Sequence, residues 1–201
     1  MKIFSQALLG LYLAILFIAG LIAPEYYSLI RNTVSELGAQ GFPNAWLMRT
    51  GFFVLAGAVL TTAYNLGKKF NLNLFRAAAL LFLLLYGGAV FITGFWSDKN
   101  FFVLDHNLES FIHSFLANIA GMFYLIAVWM NASSIKQKRF SIISFVVFFS
   151  YLALSYLFFE VEEFQGLTQR GMHLISASWL ILLNEQQRTP DKINFDKSVR
   201  A

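Results

Sequence analysis

The 201 residues are 58% hydrophobic and 13% charged, carry a net charge of +4 and include 23 phenylalanines. A soluble domain is about 25% charged, and a single core of this size could not keep so much apolar surface from water. The chain has no cysteine, which excludes disulfides, thiolate metal ligands, a cysteine nucleophile and iron–sulfur ligation.

About 20 mostly apolar residues are needed to cross a bilayer as a helix. Six runs meet that length or approach it. The first spans 4–23 and stops at Pro24. Its apolar run exceeds the 7–15 residues of a signal core, so it reads as a retained helix. The next four span 45–66, 74–96, 107–130 and 140–159. The sixth, 167–183, is shorter, and Arg170 and His173 make it the least apolar. The fold class expected is an all-α, polytopic membrane bundle of about six transmembrane helices. One domain, 1–184, is followed by a polar tail, 185–201, that contains Pro190 and reads as disordered.

Orientation follows from lysine and arginine. With the N-terminus inside, 11 of the 15 basic residues fall on the cytoplasmic side, among them Lys68, Lys69, Lys136, Lys138 and Arg139. Arg31, Arg49, Lys99 and Arg170 remain outside. Eight of the 11 acids fall outside too, so both termini are expected in the cytoplasm of a cell that holds the chain in its plasma or inner membrane. The basic residues form short clusters between apolar runs, which argues for lipid and against nucleic acid as partner. Tyr26, Tyr27, Trp46, Trp96 and Trp129 sit at segment ends and read as interfacial anchors. Gly51, Gly57, Gly87, Gly88 and Gly94 read as points of close helix packing.

Ionisable groups within a span are costly, so their placement is informative. Here they gather toward the outer side. The first outer connection contains Ser35 and Glu36, the second Asp98, Asp105 and His106, and the third Gln169 and Arg170 at the head of the sixth segment. His106, Glu109 and His113 share one face of the fourth helix by their spacing. His113 and His173 each lie about six residues below the outer boundary of their segments, near enough in depth to meet. The residue types in His106, Glu109, His113, His173 and Asp98 suit zinc, although no compact ligand motif such as His-Glu-x-x-His is present. The sequence also lacks a phosphate-binding glycine loop, a nucleophile elbow and a dinucleotide fingerprint.

Four stretches carry a family resemblance: Pro24-Glu25-Tyr26 leading to Asn32-Thr33-Val34-Ser35-Glu36-Leu37-Gly38; Gly94-Phe95-Trp96-Ser97-Asp98; Glu109-Ser110-Phe111-Ile112-His113; and Gly166-Leu167-Thr168-Gln169-Arg170 with Trp179 after it. In order and spacing the chain resembles the family catalogued as domain of unknown function 998, six-helix integral membrane proteins of bacteria and archaea. The resemblance covers the chain from the first helix to the end of the sixth. It implies a six-helix membrane fold and no activity. His173 is not part of the family pattern, and Asp105-His106-Asn107 replaces a glycine- and proline-rich lead-in.

Of the residues that match the family patterns, Ser35, Glu36, Asp98, His113, Gln169 and Arg170 come from separate segments yet share one side, so a common pocket is expected. Three functions compete for it. The first is binding of a lipid headgroup, small ligand or partner, with Arg170 suited to a phosphate or carboxylate. The second is an intramembrane metal-dependent hydrolase of lipid-like substrates. It would use His113, His173 and Asp98 around zinc, with Ser35 or Glu36 assisting. The third is a b-type haem protein with His113 and His173 as axial ligands. A stand-alone transporter is disfavoured, because no inverted repeat is visible.

Overall fold

A computed structural model describes residues 2–68, 73–99, 102, 107–134 and 137–186. All regular structure among them is helical. Six α-helices follow in order: α1 Lys2–Leu21, α2 Ala45–Gly67, α3 Leu74–Thr93, α4 Leu108–Ser134, α5 Lys138–Glu160 and α6 Gln165–Gln186. Short 3-10 turns occupy Ser35–Gly38 and Glu162–Phe164. In lipid the backbone must satisfy its own polar groups, and among these residues it does so by helices alone. Polar residues mark the ends. Asn73 and Asn107 accept the backbone N–H of Arg76 and Ser110 at 3.0 and 2.9 Å, capping α3 and α4.

The expected segments all appear, with shifted boundaries. α1 ends at Leu21, ahead of Pro24, because proline disfavours the helical conformation for the residue before it. α3 stops at Thr93, three residues early, where the chain turns through Gly94. A Cβ at Gly94 would lie 2.6 Å from the Phe53 ring, so only glycine lets α3 end against α2 at this distance. Close packing also holds at Gly87, where a Cβ would meet Leu60 at 2.9 Å, but Gly88 faces open space. α6 extends through Gln186, past the expected end at residue 183; from 187 onward the expected disordered tail lies outside the described residues.

Each helix packs on the next, and α6 returns to α1 and α2, closing a ring. Neighbours run antiparallel. Ser5 near the start of α1 bonds Thr62 near the end of α2 at 2.6 Å, and Asn184 near the end of α6 donates to both, at 3.0 and 2.9 Å. At the start of α5, Ser141 donates to the Ala132 carbonyl of α4 at 2.8 Å. The start of α1 and the end of α6 therefore share one end with the end of α2, the start of α3, the end of α4 and the start of α5. The other end, which the charge count assigns to the outside, carries the connections 22–44, 94–107 and 161–164.

Five helices, α1 to α5, are long and apolar enough to cross a membrane. α6 has the length, at 22 residues and about 33 Å, but not the composition. It nevertheless runs the full depth of the bundle, bonded to α1 at Asn184 and at His173 and to the 22–44 connection at Gly166. Large apolar side chains point outward along the bundle, including Phe17, Leu81, Phe91, Phe115, Phe149 and Leu174, as a lipid-facing surface requires. The chain is a multi-pass helical membrane protein.

The interior is unevenly filled. Toward the end where α1 starts and α6 finishes it is dense, with Leu9, Leu66, Leu180 and Leu183 at 5% exposure or less. Midway, Trp179 stacks edge-on against Tyr124 and donates to Ser144 at 3.0 Å. Above this aromatic floor the helices part.

Candidate functional site

The outer end is shaped by the 22–44 connection. Tyr27 donates to the Thr33 carbonyl at 2.7 Å, and Ser28 N–H donates to the Asn32 side chain at 2.7 Å. Thr33 and Glu36 form a reciprocal pair: Thr33 N–H donates to the Glu36 carboxylate at 2.8 Å, and Glu36 N–H to the Thr33 hydroxyl at 3.2 Å. This is the capping-box arrangement, written in the sequence as Thr-x-x-Glu. It sets the 3-10 turn that buries Ser35 and Leu37.

The connection is then fastened to α6. Backbone N–H groups of Gly166 and Leu167, at the helix head, donate to the Arg31 and Ile30 carbonyls at 3.1 and 2.9 Å. Gln169 accepts the Val34 N–H. Arg170 directs one guanidinium nitrogen at the carbonyls of Leu29, Asn32 and Gly166, at 2.8, 2.9 and 2.9 Å, and the other at the Tyr27 hydroxyl. Tyr27 is 7% exposed, so it is a buried strut and not the interfacial anchor its position suggests. Burial pushes its phenol up to about 12, against the opposing pull of Arg170. Further bonds reach the other helices. Arg49 of α2 donates to Gly38 O at 2.9 Å, Gln40 N–H to Asp98 O at 3.3 Å, and the Gln40 and Asn107 amides bond reciprocally at 3.1 and 2.8 Å. The 22–44 connection thus lies across the outer end as a pinned cap.

Beneath the cap is a cavity of about 450 Å³, within the range of small-molecule sites. Its outer wall is polar, with Ser35, Thr33, Asp98, His113, Gln169 and His173. Its lower and lateral walls are mainly apolar or aromatic, with Phe52, Leu55, Val90, Tyr151, Phe158 and Met172. Four of the six expected pocket residues, Ser35, Asp98, His113 and Gln169, are brought together here. Glu36 and Arg170 do not line it. Their polar atoms are taken up by the cap, so Arg170 is not presented to a phosphate or carboxylate ligand.

The two histidines line the same cavity without bonding each other. His173, eight residues into α6, contacts the Tyr12 hydroxyl of α1 through Nδ1 at 2.8 Å. His113, five residues into α4, contacts the Trp96 carbonyl through Nδ1 at 2.7 Å. A carbonyl oxygen can only accept, so Nδ1 carries the proton and Nε2 of the neutral ring is an acceptor. His113 is 3% exposed, and its buried Nε2 has no hydrogen-bond partner among the described residues. The early turn at Gly94 is what presents the Trp96 carbonyl to this ring.

The remaining metal candidates part company. Glu109 accepts the Ser97 N–H at 2.8 Å and does not line the cavity. Among the described residues no three His, Asp or Glu side chains gather as a metal-ligand set. The zinc set of Asp98, His113 and His173 is therefore not assembled, although Asp98 and both rings border one space. His106 and Asp105 lie outside the described residues.

Several lining residues were not anticipated. Ser114 and Asn118 of α4 face the cavity one turn apart and are exposed. An amide in the middle of an apolar span was the available signal for Asn118. Tyr12 has the same kind of signal, a single phenol in the first segment, and it turns out to hold His173.

No curated protein and no solved structure matches the chain. A family described as "Protein of unknown function (DUF998)" matches residues 7–184, which include the cap, the cavity walls and all six helices. With so much of its length matched, the chain belongs to that family.

Proposed function

We propose that this protein binds a small amphiphile, with the polar part of the ligand held under the cap and its apolar part against the chamber's lower walls. The observation that carries the reading is a ligand-sized cavity with a polar wall that includes His113, whose Nε2 is buried and has no partner among the described residues. Leaving such a group unpaired costs on the order of 1–3 kcal/mol. Unpaired buried groups are rare in native proteins, and a bound molecule that donates to Nε2 removes the cost. Ser35, Asp98, Gln169 and His173 supply further polar contacts on the same wall. Glu36 and Arg170 serve by holding the cap that closes it. The reading needs no chemical step. Its setting is the plasma or inner membrane, with the chamber in the outer half of the bilayer.

The test is composition. Purified protein is extracted, and lipids and small molecules are quantified against the surrounding detergent micelle by mass spectrometry. The wild type is expected to retain at least one species near one per chain, and His113→Phe, which keeps the ring's bulk but loses both nitrogens, to lose it. Identical profiles for wild type, variant and empty micelle would end the proposal.

A further inference from the structure

The wall chemistry and the closure of the outer end together narrow both the ligand and its route. We infer that the chamber takes an uncharged lipid whose headgroup donates hydroxyl hydrogen bonds, and that this lipid enters sideways from the bilayer between α4 and α5. The inference rests on the binding reading above.

The headgroup follows from charge and tautomer. His113 gives its Nδ1 proton to the Trp96 carbonyl, so in the uncharged ring Nε2 presents a lone pair that pairs with a donor; a phosphate or carboxylate would bring an acceptor to an acceptor. Among the described residues the lining contains no lysine or arginine, and its one carboxylate there, Asp98, would repel an anion. Arg170, the nearest candidate counterion by sequence, has its guanidinium turned to four oxygens of the cap and its own helix. A cationic headgroup would leave water for a chamber with mostly apolar walls and a single acid, a transfer that costs far more than burying a neutral hydroxyl that finds an acceptor.

The route follows from packing. The cap blocks the outer mouth with bonds to α2, α6, the 94–98 turn and the head of α4. The flank is different. The only buried residues of α5 are Phe140 and Ser144, both in its first two turns, so its outer half buries no side chain fully. Across from it, α4 exposes Ser114, Asn118 and Met122, all of them cavity-lining, and α5 supplies Ser155 and the exposed Phe159. An exposed serine and amide stacked at i and i+4 are costly against lipid chains. At the edge of an opening they give a passing hydroxyl headgroup successive partners. Below them Tyr151 lies beside Gly121, where a Cβ would be 3.2 Å from its hydroxyl. The chamber holds the headgroup and the start of a chain, and the rest of the chain lies in the gap and the bilayer.

The experiment uses the full chain in nanodiscs and four probes with the same eighteen-carbon chain length: 1-oleoylglycerol, oleate, oleoyl lysophosphatidate and oleylamine. 1-Oleoylglycerol is expected to bind at least about tenfold more tightly than the three charged probes, a difference of about 1.4 kcal/mol. His113→Phe should weaken it about tenfold. Asn118→Trp, which fills the edge of the opening, should slow association about tenfold. A diazirine-bearing monoacylglycerol, used on the unaltered chain so that no variant need fold, should label residues 114–122 and 155–159. Equal or tighter binding of a charged probe overturns the headgroup assignment and leaves the chamber reading standing. Labelling confined to other helices, with association unaffected by Asn118→Trp, overturns the route. If no probe binds and His113→Phe changes nothing, the chamber reading itself fails.

Discussion

Arg170 is where residue type and residue role separate most clearly. A guanidinium has five donors and no acceptor, so near a chain reversal rich in free carbonyls it bonds inward. Here it gathers Leu29, Asn32 and Gly166, and with them the Tyr27 hydroxyl, which in turn donates to Thr33 O. Tyr27 must stay neutral to make that donation. Its folded pKa is raised to about 12 from an ordinary value near 10, so the neutral form is the one the fold favours. The stabilisation is then fully present below pH 10 and is lost as pH climbs from 10 through 12. Thermal unfolding in detergent should show wild type more stable than Tyr27→Phe at pH 8, with the gap closing as pH rises through that window. The ceiling on the change is about 2–3 kcal/mol. A gap that stays constant to pH 12 would mean the phenol is not held as described. At this scale the sequence was half legible. Ser35, Asp98, His113 and Gln169 could be assembled on one side from the family-like motifs and the topology that the charge count gives. That Glu36 and Arg170 would be taken up by backbone partners could not, because composition names a group's donors and acceptors but not which are already occupied.

Among the elements, α6 was the hardest to recognise and matters most. Hydropathy undervalues it because its polar side chains find partners within the bundle: Gln169 in the cap, His173 in Tyr12, and the Asn184 Nδ2 in Ser5 and Thr62. Such pairings replace the apolar surface that a lipid-facing helix needs. The other five spans were legible because lipid contact imposes length and apolarity directly. The cap was not, since an irregular connection declares itself only through tertiary bonds; its one local clue was Thr33-x-x-Glu36. Its joint with α6 depends on Gly166, where a Cβ would lie 2.3 Å from Asn32 O and 2.8 Å from Leu29 O. Backbone oxygens cannot swing aside as a side chain can, so Gly166→Ala should lift the cap and strand the Arg170 contacts. The expected result is a folded bundle, with helical content kept, whose 22–44 connection becomes a fast site of limited proteolysis while the wild type resists. A variant as resistant as wild type would show that the joint tolerates the methyl group and that the cap is not held there.

For the whole molecule, the asymmetry between a dense cytoplasmic half and a hollow outer half gives orientation a functional meaning. Whichever leaflet faces the hollow half is the leaflet whose lipids reach the α4–α5 gap. The charge count assigns 11 of 15 basic residues to the dense end, including Lys136 before α5 and Lys138 and Arg139 in its first turn. Positively charged connections resist translocation, and the two basic connections and both termini all fall at that one end. Six antiparallel helices then fix the rest: each reversal changes sides, so the cap, the 94–107 connection and the 161–164 turn share the opposite face. Paired reporters, one active only in the cytoplasm and one only outside it, should therefore alternate along the chain. Fusions within 135–137 and after residue 186 are expected to be active inside, and fusions within 39–44 and at 161–164 outside. Moving charge should move the answer: replacing Lys136, Lys138 and Arg139 by glutamine weakens the strongest internal anchor and should raise the fraction of chains with that connection outside. A uniform reversal in the unaltered chain would leave the bundle intact but turn the chamber toward the cytoplasmic leaflet. The lipid it samples would then be drawn from the inner monolayer.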